Sequence, residues 1–189
     1  MKIEKTELSG VLAIELDRFS DSRGSFVESW HKDRYAKLGI NVDFVQDNMS
    51  HSRKGALRGL HYQNPSPQGK LVYVLEGEVF DVAVDIRIGS PTFGKWVGMT
   101  LSFENNRQLY IPEGFAHGFV VTSDVATFVY KCTGFYKKEC EKTIRWDDPD
   151  IGIVWPVAGP ILSDKDLAGL SLKEMPRENL FTFDRKSAE

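Results

Sequence analysis

Hydrophobic and polar residues alternate in short runs along most of this chain. Residues 2–17 alternate as one or two strands, broken at Leu8-Ser9-Gly10. Further strand-like runs follow at close spacing, around 43–50, 57–62, 69–76, 78–87, 95–102, 107–111, 116–122 and 126–132. Turn residues separate them at 64–69, at Gly77, at Gly89-Ser90-Pro91, at Asn105-Asn106 and at 112–114. Earlier, 21–25 is a polar turn leading into an extended FVESW, and 30–38 predicts a short helix stopped by Gly39. Many short strands with regular turns predict an all-β fold, mostly antiparallel, built as a sandwich or barrel with a few short helices. The tail changes character: 151–160 is rich in Pro and Gly, and Ser163-Asp164-Lys165-Asp166 opens a short helix with a capping pattern.

One run has two unlike faces. Period-2 alternation over 78–86 places Phe80, Val82, Val84 and Ile86 on one side, and Asp81, Ala83 and Asp85 on the other. The first side packs and the second faces a cavity or solvent. The stretch 55–87 gathers Arg58, His61, Gln63, Lys70, Asp81 and Asp85, more polar side chains than a plain pair of core strands requires. Asp81 and Asp85 read as solvated strand residues and are left out of the candidate site. Arg58 and His61 are three apart, so an ideal strand points them to opposite faces, unless Gly59 marks a bulge that re-aims one of them.

Composition adds limits. A chain of 189 residues is most simply one domain, 1–189, with 151–189 as an irregular tail packed on the body. A formal net charge of -3 argues against sequence-blind nucleic-acid binding, though converging Arg and Lys side chains still suit a small anion. Cys132 and Cys140 form neither a CxxC pair nor a disulfide framework and read as two thiols in a reducing compartment. The start MKIEKTELSG has no apolar leader, and no run of about 18 apolar residues occurs. A soluble, cytoplasmic protein is expected, with neither nucleic acid nor membrane as partner.

Candidate chemistry narrows this further. IPEGFAHGF carries P-x-G-x-x-H through His117 and resembles half of the second cupin signature, but the H-x-H of the first is replaced by His61-Tyr62-Gln63. Two imidazoles rarely hold a catalytic divalent ion, so no metal is expected. G-x-G-x-x-G, Walker, G-x-S-x-G and H-E-x-x-H patterns are missing, which removes the customary parts of hydride transfer, phosphoryl transfer and common hydrolysis. His, Lys, Tyr and Asp side chains remain, suited to moving a proton beside a carbonyl.

The ordered segments QDNMSHSRKGALRGLHYQ, GKLVYVLEGEVFDVAVDIRIGSPTFGKW, IPEGFAHGFVV, YKCTGFY and LSDKD resemble the dTDP-4-dehydrorhamnose 3,5-epimerase family. The resemblance implies a cupin-type antiparallel β-sandwich or jelly-roll barrel and an isomerase needing no cofactor. Its substrate is a dTDP-linked 4-keto-6-deoxyhexose, epimerised at C3 and C5 in deoxysugar synthesis. By resemblance His61 is the base, paired with Asp166; Lys70 stabilises the enolate oxygen; Tyr130 returns a proton from the opposite face. Arg23, Glu28, Gln46, Asn48, Arg58, His117, Glu141 and Lys165 belong to substrate binding, with Phe26 and Tyr136 as stacking aromatics. In relatives the N-terminal segment crosses to a neighbour, which implies a homodimer in which Arg23, Phe26 and Glu28 serve the partner's site. Lys137-Lys138 departs from the Pro-containing turn usual after Tyr136. An epimerase acting at C3 or C5 alone, a silent sugar-binding cupin and a metal-dependent cupin are the rival readings.

Overall fold

The computed structural model describes residues 1–184. Two N-terminal ribbons come first: β1 (Lys2–Lys5) pairs with β2 (Leu12–Glu15), and β3 (Arg18–Asp21) with β4 (Gly24–Val27). Helix α1 (Lys32–Lys37) stops where Gly39 adopts a φ of +93°, the left-handed conformation usual just past a helix end. The body follows as β5 (Gln46–Arg53), β6 (Leu57–Gln63), β7 (Lys70–Glu76), β8 (Glu78–Asp85), β9 (Arg87–Ile88) and β10 (Trp96–Ser102). It continues with β11 (Arg107–Ile111), β12 (Phe115–Val121), β13 (Val125–Cys132) and β14 (Glu141–Thr143). Helix α2 (Asp164–Leu167) and β15 (Phe181–Thr182) lie in the tail.

Two sheets make the cupin-type sandwich, in the orders β1-β2-β11-β7-β13-β5 and β10-β8-β12-β6-β14, with antiparallel neighbours throughout. Their facing sides interdigitate around Val72, Val74, Val79, Ala83, Leu109, Phe119 and Phe128. Towards one end the inward positions turn polar. On β7, Val74 and Val72 give way to Lys70; on β13, Ala126 and Phe128 give way to Tyr130. Period 2 keeps each series on a single face, so the strands that build the core also deliver side chains to a cavity.

The predicted runs at 107–111 and 126–132 fall on β11 and β13, while β5 begins later than expected and runs on to Arg53. Strand β5 reads QDNMSHSR, and its pairing with β13 rather than any hydrophobic alternation holds it extended. The outer face of β8 is covered as well: Val82, Val84 and Ile86 pack under Ile144, Ile151, Leu172, Met175 and Leu180 from the tail. Asp81 and Asp85 are therefore not solvated, because both point into the closed interior and are 0% exposed. Asp85 accepts from Arg87 Nε at 2.9 Å, Ser90 Oγ at 2.6 Å and Thr92 Oγ1 at 2.7 Å. Burial works to raise its carboxyl, and these bonds hold it below the ordinary carboxylate range. It ties down the turn between β8 and β10.

Candidate active site

The junction of β6 and β12 builds the site. His61 lies opposite His117 and Arg58 opposite Phe119, so three steps on β6 match two on β12. This bulge brings Arg58 and His61 to the same cavity despite their spacing. Gly59 makes it feasible, with φ at +141° and no room for a side chain: a Cβ there would lie 2.5 Å from Gly118 Cα. The Gly59–Leu60 peptide bond is cis.

The cavity encloses about 380 Å³ between the two sheets. His61 and His117 stand on the wall made by β6 and β12; Lys70, Tyr130, Asn48 and Gln46 stand on the wall made by β7, β13 and β5. His61 Nε2 is 2.5 Å from Asp166 Oδ1. Asp166 comes from α2, where Ser163 Oγ donates to its Oδ2 at 2.6 Å and accepts from its backbone N–H at 3.3 Å. The helix cap thus aims the carboxylate at the imidazole.

Electrostatics divide the labour. Burial pushes the His61 imidazole below its ordinary 6.5, against the pull of the Asp166 hydrogen bond. Burial also works to raise Asp166, but the bonds from His61 and Ser163 and the nearby Lys165 hold it low. An ionised Asp166 can only accept, so Nε2 carries the proton and Nδ1 of the neutral ring keeps a free lone pair. Lys70 is 8% exposed, and its ammonium has no hydrogen-bond partner among the described residues. Burial drives its pKa down, opposed by Cys132, Asp81 and Glu141. Burial raises the Tyr130 phenol, so it stays protonated at neutral pH and able to donate.

The cavity mouth is tied together by side chains. Gln46 Oε1 accepts from the Tyr136 N–H at 2.8 Å, and its Nε2 donates to Asn48 at 3.0 Å. Tyr136 Oη donates to Glu141 at 3.1 Å, while Lys165 Nζ holds the other oxygen of Glu141 at 2.9 Å. Burial works to raise the Glu141 carboxyl, but Lys165 and Tyr136 keep it below the ordinary range. Arg58 bonds Ser52 Oγ, at 3.1 Å from its Nη2, and has no charged partner among the described residues. Lys137 departs from the family pattern without entering the site: its Nζ donates to Ser66 Oγ at 3.1 Å.

Thus His61, Tyr130, Asp166, Lys70, Gln46, Asn48, Arg58, His117, Tyr136, Glu141 and Lys165 all line one cavity. Arg23, Phe26 and Glu28 do not. They sit on or beside the exposed β3–β4 ribbon, where Arg23 pairs with Asp21 at 2.7 Å and Glu28 with Arg34 at 3.0 Å. The reading of residues passed over Gln63, whose buried amide clamps the loops around Ser66 and Phe135, and Asp81, whose Oδ2 is 2.9 Å from His117 Nε2. The unlike faces of β8 were the available signal for Asp81. Among the described residues no group of three or more His, Cys, Asp or Glu side chains is placed to hold a metal ion. None of their helices is long and apolar enough to cross a membrane.

Comparison with known proteins identifies the family. Residues 5–174 match the family model for dTDP-4-dehydrorhamnose 3,5-epimerase. An enzyme of that name from Shigella flexneri is 59% identical over 89% of this chain and 94% of its own length. Another from Escherichia coli K12 is 50% identical over 95% of this chain and 99% of its own. The crystal structure of a dTDP-6-deoxy-D-glucose-3,5-epimerase from Legionella pneumophila, in complex with dTDP-4-keto-L-rhamnose, superposes with a TM-score of 0.95. It shares 52% identity and covers 97% of this chain and 98% of its own.

Proposed function

The chain belongs to the dTDP-4-dehydrorhamnose 3,5-epimerase family, and on that premise we propose how its cavity inverts two carbons of a dTDP-4-keto-6-deoxyhexose. One observation carries the reading: a neutral imidazole backed by a carboxylate and a protonated phenol stand on opposite walls of one cavity. C3 and C5 both flank the C4 ketone, whose carbonyl takes up the electrons released when either loses its proton. His61 Nδ1 accepts the proton, Asp166 stabilises the imidazolium, and the enolate oxygen forms beside the Lys70 ammonium. A donor placed at such an oxygen lowers the barrier by about 3–4 kcal/mol. Tyr130 then protonates the carbon from the other wall, which inverts it, and the cycle repeats at the second carbon. The ketone is the electron sink, so the step calls for no external acceptor.

Arg58 suits the diphosphate, with His117, Gln46, Asn48, Tyr136, Glu141 and Lys165 as the other substrate contacts. Arg23, Phe26 and Glu28 are read as contacts made in a partner subunit's site, which makes the enzyme a homodimer. The cross-strand pair Phe19 and Phe26 supports this, being 64% and 68% exposed on a ribbon that leaves the body. Two unpaired, buried thiols, Cys132 and Cys140, fit a reducing cytoplasm.

The deciding test is NMR of dTDP-4-keto-6-deoxyglucose with the protein in D2O. Deuterium should appear at both C3 and C5 with formation of the L-rhamno product. Label at one carbon would make this a mono-epimerase, and no label would leave a binding protein. At the anionic end, Arg58→Ala should weaken dTDP binding by about 1.5–3 kcal/mol, the scale of a charge-assisted hydrogen bond. A calorimetric dissociation constant equal to wild type would put Arg58 outside the site.

A further inference from the structure

Asp81 is the best-buried carboxylate near the cavity, and no catalytic step yet uses it. It alternates with Val79 and Ala83 on the inward face of β8, within the packed interior. Its Oδ2 lies 2.9 Å from His117 Nε2, and its Oδ1 is buried without a hydrogen-bond partner among the described residues. Across the interior, Lys70 shares the inward face of β7 with Val72 and Val74. It is 8% exposed, and its ammonium has no hydrogen-bond partner among the described residues. A carboxylate with a spare oxygen and a cation without a hydrogen bond therefore both point inward from opposed sheets, near enough for Asp81 to act on the Lys70 charge. Attraction between unlike charges is strong where water is excluded, and either charge left alone there is costly.

We propose that Asp81 is a positioning residue for the epimerase reaction, the fixed counter-charge of Lys70 and the anchor that keeps Nε2–H of His117 turned away from substrate. This rests on the epimerase reading above. Holding Nε2–H on Asp81 points His117 Nδ1 elsewhere and fixes the plane of its ring, which stacks at 17° to Phe128. Keeping the counter-charge one shell behind lets Lys70 remain a cation without a carboxylate competing for its hydrogens. The ammonium is then free to bond to the oxygen that becomes charged during proton abstraction.

Asp81→Asn tests the charge with little change of shape, because the Asn carbonyl still accepts from His117. The variant should lose kcat on the order of tenfold with KM nearly unchanged, since Lys70 acts on the enolate rather than on bound substrate. In a Lys70→Gln background the same change should cost almost nothing further, because the partner of the charge is already gone. A full loss persisting in that background, or wild-type kcat in Asp81→Asn, would overturn the proposal. Should Asp81→Asn fail to fold, nitrogen NMR of the unmodified enzyme decides. A His117 ring protonated at Nε2 agrees, and one protonated at Nδ1 alone overturns it. The wild-type enzyme in the same assay separates the two ideas: if it makes no epimerised product, the functional reading itself has failed.

Discussion

His61→Ala is expected to abolish exchange of both ring protons with solvent while leaving dTDP binding largely intact. The variant removes the imidazole held by Asp166, and a positioned base is typically worth about 10²–10⁴ in rate. The proposed nucleotide contacts Gln46, Arg58 and Tyr136 are not held in place by it. Asp166→Asn should cost less, because Asp166 orients the ring and stabilises its charged form without taking the proton. Burial also fixes the sign of the pH response. Folding lowers the His61 pKa, so kcat/KM should persist below pH 6.5 and fall only as more acid protonates the ring. Near wild-type turnover by His61→Ala, measured by deuterium incorporation, would remove it from the mechanism.

Tyr130→Phe should separate proton removal from inversion. The ring keeps its place beside Phe128, at 6.0 Å between centroids, while the hydroxyl on the wall opposite His61 disappears. His61 should still take a proton, exchange it with solvent and return it to the same face. In D2O the variant should then incorporate deuterium with retained configuration and make little inverted product. Water admitted in place of the phenol permits slow residual inversion. Loss of exchange as well as inversion, in a variant that melts like wild type, would end the assignment of Tyr130 as the opposite-face acid.

The sandwich and most of its strands were legible in the chain because alternation and turn residues are local signals. Strand β11 could be placed from Arg107–Ile111 alone. Strands β9, β14 and β15 could not, since two or three residues carry no periodicity and exist through their partners. At the site, the likeness to a family supplied roles that no single residue declares. Local reasoning alone raised Gly59 as a bulge, and the register between His117 and Phe119 has one. Asp81 was lost for a different reason. Its face on β8 was read correctly as distinct, but only the neighbouring strand β12, through His117, decides whether an inward carboxylate meets water or a histidine. Ser163 and Asp166 were visible as a helix cap, yet 105 residues separate Asp166 from the ring it holds.

That separation has a consequence for how the enzyme comes into being. The walls of the cavity belong to strands between Gln46 and Cys132, whereas the carboxylate behind the base belongs to α2, bound on through the bridges Ala56–Ile161 and Ile144–Leu170. During synthesis the strands that carry His61, Lys70 and Tyr130 are made well before Asp166. A chain interrupted before Ser163 would lack the carboxylate behind the imidazole and the Lys165 ammonium that holds Glu141. Full turnover thereby depends on the docking of the last segment, which a nick before Ser163 would uncouple from the base.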